Sequence, residues 1–109
     1  MKLLLDENLP KKLKRDFPEH EIYTVSDKGW NSKKNGELLI LMLMEEFDGL
    51  FTFDKNLQFQ QNFSKYPIAV IVLNAEDNAY LTLRGLIPQI KEVLNAPLPA
   101  GPTEIKSRD

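Results

Sequence analysis

PIAVIVLN, residues 67–74, is the stretch that decides the fold. Six aliphatic residues follow Pro67 without the alternating polar positions of a strand that has one wet face. Its valines and isoleucines favour a strand over a short helix. A strand that is apolar on both sides must be covered on both sides, which is the situation of a parallel sheet between helices.

The rest of the chain supplies the other strands and their covers. Upstream, DGLFTF (48–53) reads as a turn and a strand, HEIYTVSD (20–27) as a strand, and Leu3-Leu4-Leu5 as a short buried strand. Leu9, Leu13 and Phe17 recur at helical spacing, with Asn8 as a cap, Pro10 in the first turn and Pro18 at the end. GWNSKKN (29–35) is a loop, and NGELLILMLMEEF (35–47) is a helix. The apolar run Leu38–Met44 covers nearly two turns, so it cannot face one sheet alone. The C-terminal helix or a second subunit is expected over its outer side. NLQFQQNF (56–63) reads as a short polar helix or a loop, and 79–95 as a helix interrupted near Gly85 and Pro88. The expected architecture is α/β, a three-layer fold with a parallel sheet of four or five strands flanked by helices and joined by right-handed crossovers. One domain spans residues 1–96. Residues 97–109, with Pro97, Pro99, Gly101 and Pro102, form an extended or disordered tail.

Composition narrows the chemistry. At 109 residues the chain has room for a single core. Without cysteine it has no disulfide, thiolate metal site or cysteine nucleophile, which fits a cytoplasmic location. No apolar run approaches the ~20 residues of a membrane helix. A net charge of −2 gives no global basic signature, yet the charges are segregated. KKLKR at 11–15 and Lys33-Lys34 are basic, whereas residues 37–54 hold Glu37, Glu45, Glu46, Asp48 and Asp54 and no cation. The lysines read as the solvated face of a helix or as phosphate-binding flanks.

LLLDENLP (3–10) and LFTFDKNL (50–57) each run from a strand straight into an aspartate. In a parallel sheet function gathers outside the carboxyl ends of strands, so Asp6 and Asp54 belong to the same rim. Spacing does not fix strand order, and hence not whether they are neighbours. Two readings fit. Clustered carboxylates repel unless a cation intervenes, and Mg²⁺ or Mn²⁺ prefers such oxygen ligands. Alternatively Asp6, Asn8, Asp54 and Asn56 are caps and turn residues.

LDEN, NGELL and the pattern in TFDKNLQFQQN, with IAVIVLN after them, resemble in order a group of small bacterial PIN-like proteins. Those belong to the PIN superfamily of metal-dependent ribonucleases and are often associated with toxin-antitoxin pairs. The likeness runs from Met1 to about Asn74. It implies an acidic pocket at the strand ends, holding one or two Mg²⁺ or Mn²⁺ ions and cutting single-stranded RNA. Asp6 and Asp54 match the family's first and later aspartates. Where related chains carry a middle aspartate this one has Asn35, and Glu37 is the nearest acid to replace it. Asp6, Glu37 and Asp54 are thus the expected metal-holding, catalytic set.

Around them, Glu7 is a further ligand candidate, and Asn8 and Asn56 could orient the aspartates or a bound water. Lys55 could meet a phosphate. Gln58, Gln60, Gln61 and Asn62 could read unstacked bases. Of Tyr23, Trp30 and Phe59, Trp30 in its loop is the best stacking platform, while Tyr23 belongs to the core. His20 is assigned no chemistry. The rival expectation is a non-catalytic PIN-like interaction module whose metal site has decayed, motivated by Asn35. A homodimer or an antitoxin protein is the expected partner of the apolar helix, and no membrane is involved.

Overall fold

Leu3, Leu4 and Leu5 have essentially no solvent contact in the computed structural model, because the strand they form is packed on both faces. The structure describes residues 1–57 and 65–106. Five strands, β1 (Lys2–Leu5), β2 (Glu21–Thr24), β3 (Gly49–Thr52), β4 (Ala69–Asn74) and β5 (Gly101–Lys106), form one sheet in the order β2-β1-β3-β4-β5. Every neighbouring pair is parallel. The described α-helices are α1 (Asn35–Met44), α2 (Tyr80–Leu83) and α3 (Ile87–Leu94), and 3-10 helices span Lys11–Asp16 and Arg84–Leu86.

Strand alternation sorts the core into two layers. Leu3, Leu5, Phe51, Ile71, Leu73 and Ile105 face the first 3-10 helix, α2 and α3, with Leu13, Phe17, Leu83 and Ile90 packed on them. Leu4, Leu50, Val70 and Val72 face the other way, onto Leu38, Leu39 and Met42 of α1 and onto Leu57. The expected α/β three-layer fold, with helices on both faces, is present. Gly49 is the close approach inside it. A Cβ there would meet Leu3 Cδ2 at 3.2 Å and the Ala69 carbonyl oxygen at 3.3 Å, so even alanine would require these neighbours to give by a few tenths of an ångström.

Several elements differ from the sequence reading. The segment after β1 winds as a 3-10 helix, with Pro10 itself at its N-cap and no side-chain cap. Asn8 does not cap it; its carbonyl accepts a hydrogen bond from Asn78 Nδ2 at 2.7 Å. α1 stops at Met44 rather than Phe47, because Glu46 adopts φ 61°. The Glu46 N–H then donates to Leu43 O at 3.2 Å and the Phe47 N–H to Met42 O at 2.9 Å, a Schellman stop that turns Phe47 into the core. The interruption near Gly85 and Pro88 is real: α2 passes through a 3-10 turn into α3, with Pro88 in α3's first turn.

The C-terminal helices lie on the opposite side of the sheet from α1 and do not cover its outer surface. Ile40 and Met44 are exposed there.

Residues 101–106, expected to be extended or disordered, are the edge strand β5. The Gly101 N–H donates to Ile68 O at 2.9 Å, so alternate residues from Gly101 onward bond β4. Pro102 then falls at a position facing away from β4, where its missing N–H breaks no ladder. Among the described residues no helix is long and apolar enough to cross a membrane.

Candidate functional site

Strand order now answers whether the two aspartates are neighbours. β1 and β3 are adjacent at the point where the chain changes sides. After β1 it leaves toward the layer of Leu13 and Phe17, and after β3 it sends Leu57 into the other layer. In doubly wound sheets, loops leaving in opposite directions open the crevice in which ligands bind. Asp6 and Asp54 stand on its two sides.

A side chain that sequence reading passed over joins them. Thr52, wholly buried at the end of β3, donates its hydroxyl proton to Asp6 Oδ2 at 2.7 Å. Thr52 Oγ1 in turn accepts the Asp54 N–H at 3.0 Å. One hydroxyl therefore fixes the Asp6 carboxylate against the start of the Asp54 turn. Its sequence signal was a lone hydroxyl in an apolar strand, two residues before an acid.

The Glu7 N–H donates to Asp6 Oδ1 at 2.7 Å, and the Asn56 N–H to Asp54 Oδ1 at 2.9 Å. Both aspartates thus shape turns, as the capping alternative foresaw. These contacts do not saturate them, since an ionised carboxylate offers about four lone-pair sites.

Thr52→Val is expected to lower stability by about 1–2 kcal/mol, because it leaves the half-buried Asp54 N–H without its partner and removes a donor from Asp6. Urea denaturation measures this. Stability equal to wild type would mean the hydroxyl bridges nothing of consequence.

The remaining candidates are more scattered. Glu37 sits exposed in the first turn of α1, and Asn35, half-buried, begins that helix. Among the described residues no group of three or more His, Cys, Asp or Glu side chains is placed to hold a metal ion, so Glu37 does not join Asp6 and Asp54. Glu7, Asn8, Lys55 and Asn56 are exposed around the rim loops. Gln58, Phe59, Gln60, Gln61 and Asn62 lie outside the described residues. Trp30 is no stacking platform. It is 7% exposed and its ring lies 5.9 Å from that of Phe47, because the loop folds it into the α1 layer. Tyr23 borders that layer, 5.8 Å from Phe47, as a core residue would.

Beside the crevice, between the ends of β1 and β2, lies a cleft of about 150 Å³ lined by Asp6, Glu7, Lys11, Thr24, Ser26 and Asn31 among others. Its wall is braced by Asp27, which accepts from the Thr24 N–H at 2.8 Å and from Lys14 Nζ at 2.7 Å. The Lys14 ammonium, helped by that backbone N–H, holds the Asp27 carboxyl down at about 2.

The donor set fits one hard cation better than two. Mg²⁺ keeps several waters and is held by one or two carboxylates plus substrate phosphate, which Asp6 and Asp54 can provide for. Two ions would need further carboxylates at the rim. No family model matches the chain, and neither comparison with curated proteins nor comparison with solved structures returns a match.

Proposed function

We propose that this chain is a PIN-like domain that hydrolyses single-stranded RNA, with Asp6 and Asp54 together holding one Mg²⁺ or Mn²⁺. The observation that carries the reading is the placement of both aspartates across the β1/β3 crevice, tied through Thr52. When bound, such an ion supplies charge to the phosphodiester and lowers the pKa of water. The chain's own residues do the positioning. Thr52 and the Glu7 N–H orient the Asp6 carboxylate, and the Asn56 N–H orients that of Asp54. With no third carboxylate grouped with them among the described residues, an ion held by Asp6 and Asp54 would have room to take up the RNA phosphate as well. The test is cleavage of a labelled oligoribonucleotide with Mn²⁺. Cleavage that stops in EDTA supports the reading; none at any Mn²⁺ concentration contradicts it.

A second reading is a PIN-like protein-interaction module without catalysis. It is favoured by the absence of a three-carboxylate group among the described residues and by Ile40 and Met44 exposed on α1. Calorimetry separates the two: Mn²⁺ binding that appears only when RNA is present belongs to the nuclease, and no binding in either case belongs to the module.

A further inference from the structure

The sequence KKLKRD (11–16) becomes informative once its winding is known. A 3-10 helix has three residues per turn, so side chains three apart eclipse each other. Lys11 stands over Lys14, Lys12 over Arg15, and Leu13 over Asp16. The third row faces inward: Leu13 is 1% exposed, and half-buried Asp16 accepts the Tyr80 hydroxyl proton at 2.8 Å. Both remaining rows are therefore turned outward, and all four of their cations are exposed.

These four side chains line one concavity of about 270 Å³. Lys11 also lines the neighbouring cleft that contains Asp6 and Glu7, so the basic face and the acidic rim share a residue. Two of the cations are partly engaged. Lys14 pairs with Asp27, and Lys12 lies 5.7 Å over the Tyr80 ring. The side chains of Lys11 and Arg15 make no hydrogen bond or ion pair with the described residues.

We infer that this 3-10 helix is a track for the phosphate backbone of single-stranded RNA, leading over Lys11 to the Asp6 side of the crevice. The inference rests on the ribonuclease reading for its direction, not for its binding chemistry. A ligand on this face feels the local cluster rather than the chain's net charge, because charges beyond about 8 Å are screened at physiological salt. The lysine-rich composition also suits phosphate contacts, whereas lysine is depleted from the cores of protein–protein interfaces.

The test measures binding without cleavage. Anisotropy of a fluorescent oligouridylate is followed in EDTA over a series of KCl concentrations, with circular dichroism confirming the fold of each variant. Losing a phosphate contact flattens the plot of log K against log salt by about 0.7 for a single strand. The Lys11→Gln/Arg15→Gln double variant is therefore expected to flatten it by about 1.4 and each single variant by about half of that. Lys106→Gln, the same charge change on edge strand β5, is expected to leave the slope alone.

A double variant that keeps the wild-type affinity and slope overturns the track, even if Mn²⁺-dependent cleavage is intact. A polyglutamate peptide of equal charge binding as tightly as the RNA also overturns it, in favour of a protein partner. A flattened slope in a protein that never cleaves RNA upholds the track and removes the ribonuclease reading.

Discussion

Asp6→Asn and Asp54→Asn should each reduce Mn²⁺-dependent RNA cleavage on the order of a hundredfold or more, the upper range seen when only the supports of a metal ligand are removed. The amide has the shape of the carboxylate and keeps one acceptor oxygen, so the Glu7 and Asn56 N–H groups retain a partner. What disappears is the negative charge that the proposed site would need to hold a hard cation. The two substitutions should be strongly non-additive, because groups that act as one unit fail together. Glu37→Gln, on exposed α1, should change the rate much less if two aspartates are the whole protein contribution. Equal residual cleavage in wild type and both aspartate variants would trace the activity to a contaminant.

The largest loss of stability is expected for Phe51→Ala. Phe51 is 1% exposed on the central strand β3, and its ring lies 5.7 Å from that of Phe17. Truncation removes the ring's transfer free energy and leaves a cavity between the sheet and the first 3-10 helix, costing about 3–5 kcal/mol. A domain of this kind has about 5–15 kcal/mol in total, so the variant should be marginal. In urea the midpoint should fall by roughly 2 M. A cost below about 1 kcal/mol would show that the layer holding Leu13 and Phe17 collapses onto the gap. Because Phe51 immediately precedes Thr52, the variant should also loosen the rim, lowering cleavage beyond what the unfolded fraction explains.

The central part of this fold was legible because burial on both faces leaves a direct mark. β1 and β4 carry unbroken apolar runs, β3 is apolar up to Thr52, and α1 is apolar beyond one face. β5 left no such mark. Pro102, Glu104 and Lys106 occupy alternate, exposed positions of an edge strand, and that pattern reads locally as a polar tail. The first helix showed the right buried residues and the wrong winding, since Leu9, Leu13 and Phe17 are all in the core although only Leu13 lies within the 3-10 segment. Trp30 misled for a similar reason: its turn residues announced a loop, and nothing local announces that a loop folds inward.

At the site, Asp6 and Asp54 were readable as strand-end acids, while their adjacency was not. Adjacency follows from strand order, which is set by pairing between residues far apart in sequence. Thr52 was invisible as a partner until β1 and β3 were known to lie side by side. Glu37, the acid nearest Asn35 in sequence, is exposed in the first turn of α1 and forms no three-acid group with the two aspartates among the described residues.

The most direct measurement is a crystal structure of the protein grown with Mn²⁺ and a non-hydrolysable RNA analogue, using anomalous scattering to locate the ion. The proposal requires one Mn²⁺ in the β1/β3 crevice, with Asp6 and Asp54 carboxylate oxygens at about 2.1–2.2 Å and a phosphate oxygen completing the shell. An empty crevice with the analogue bound, or an ion held elsewhere without either aspartate, would contradict it.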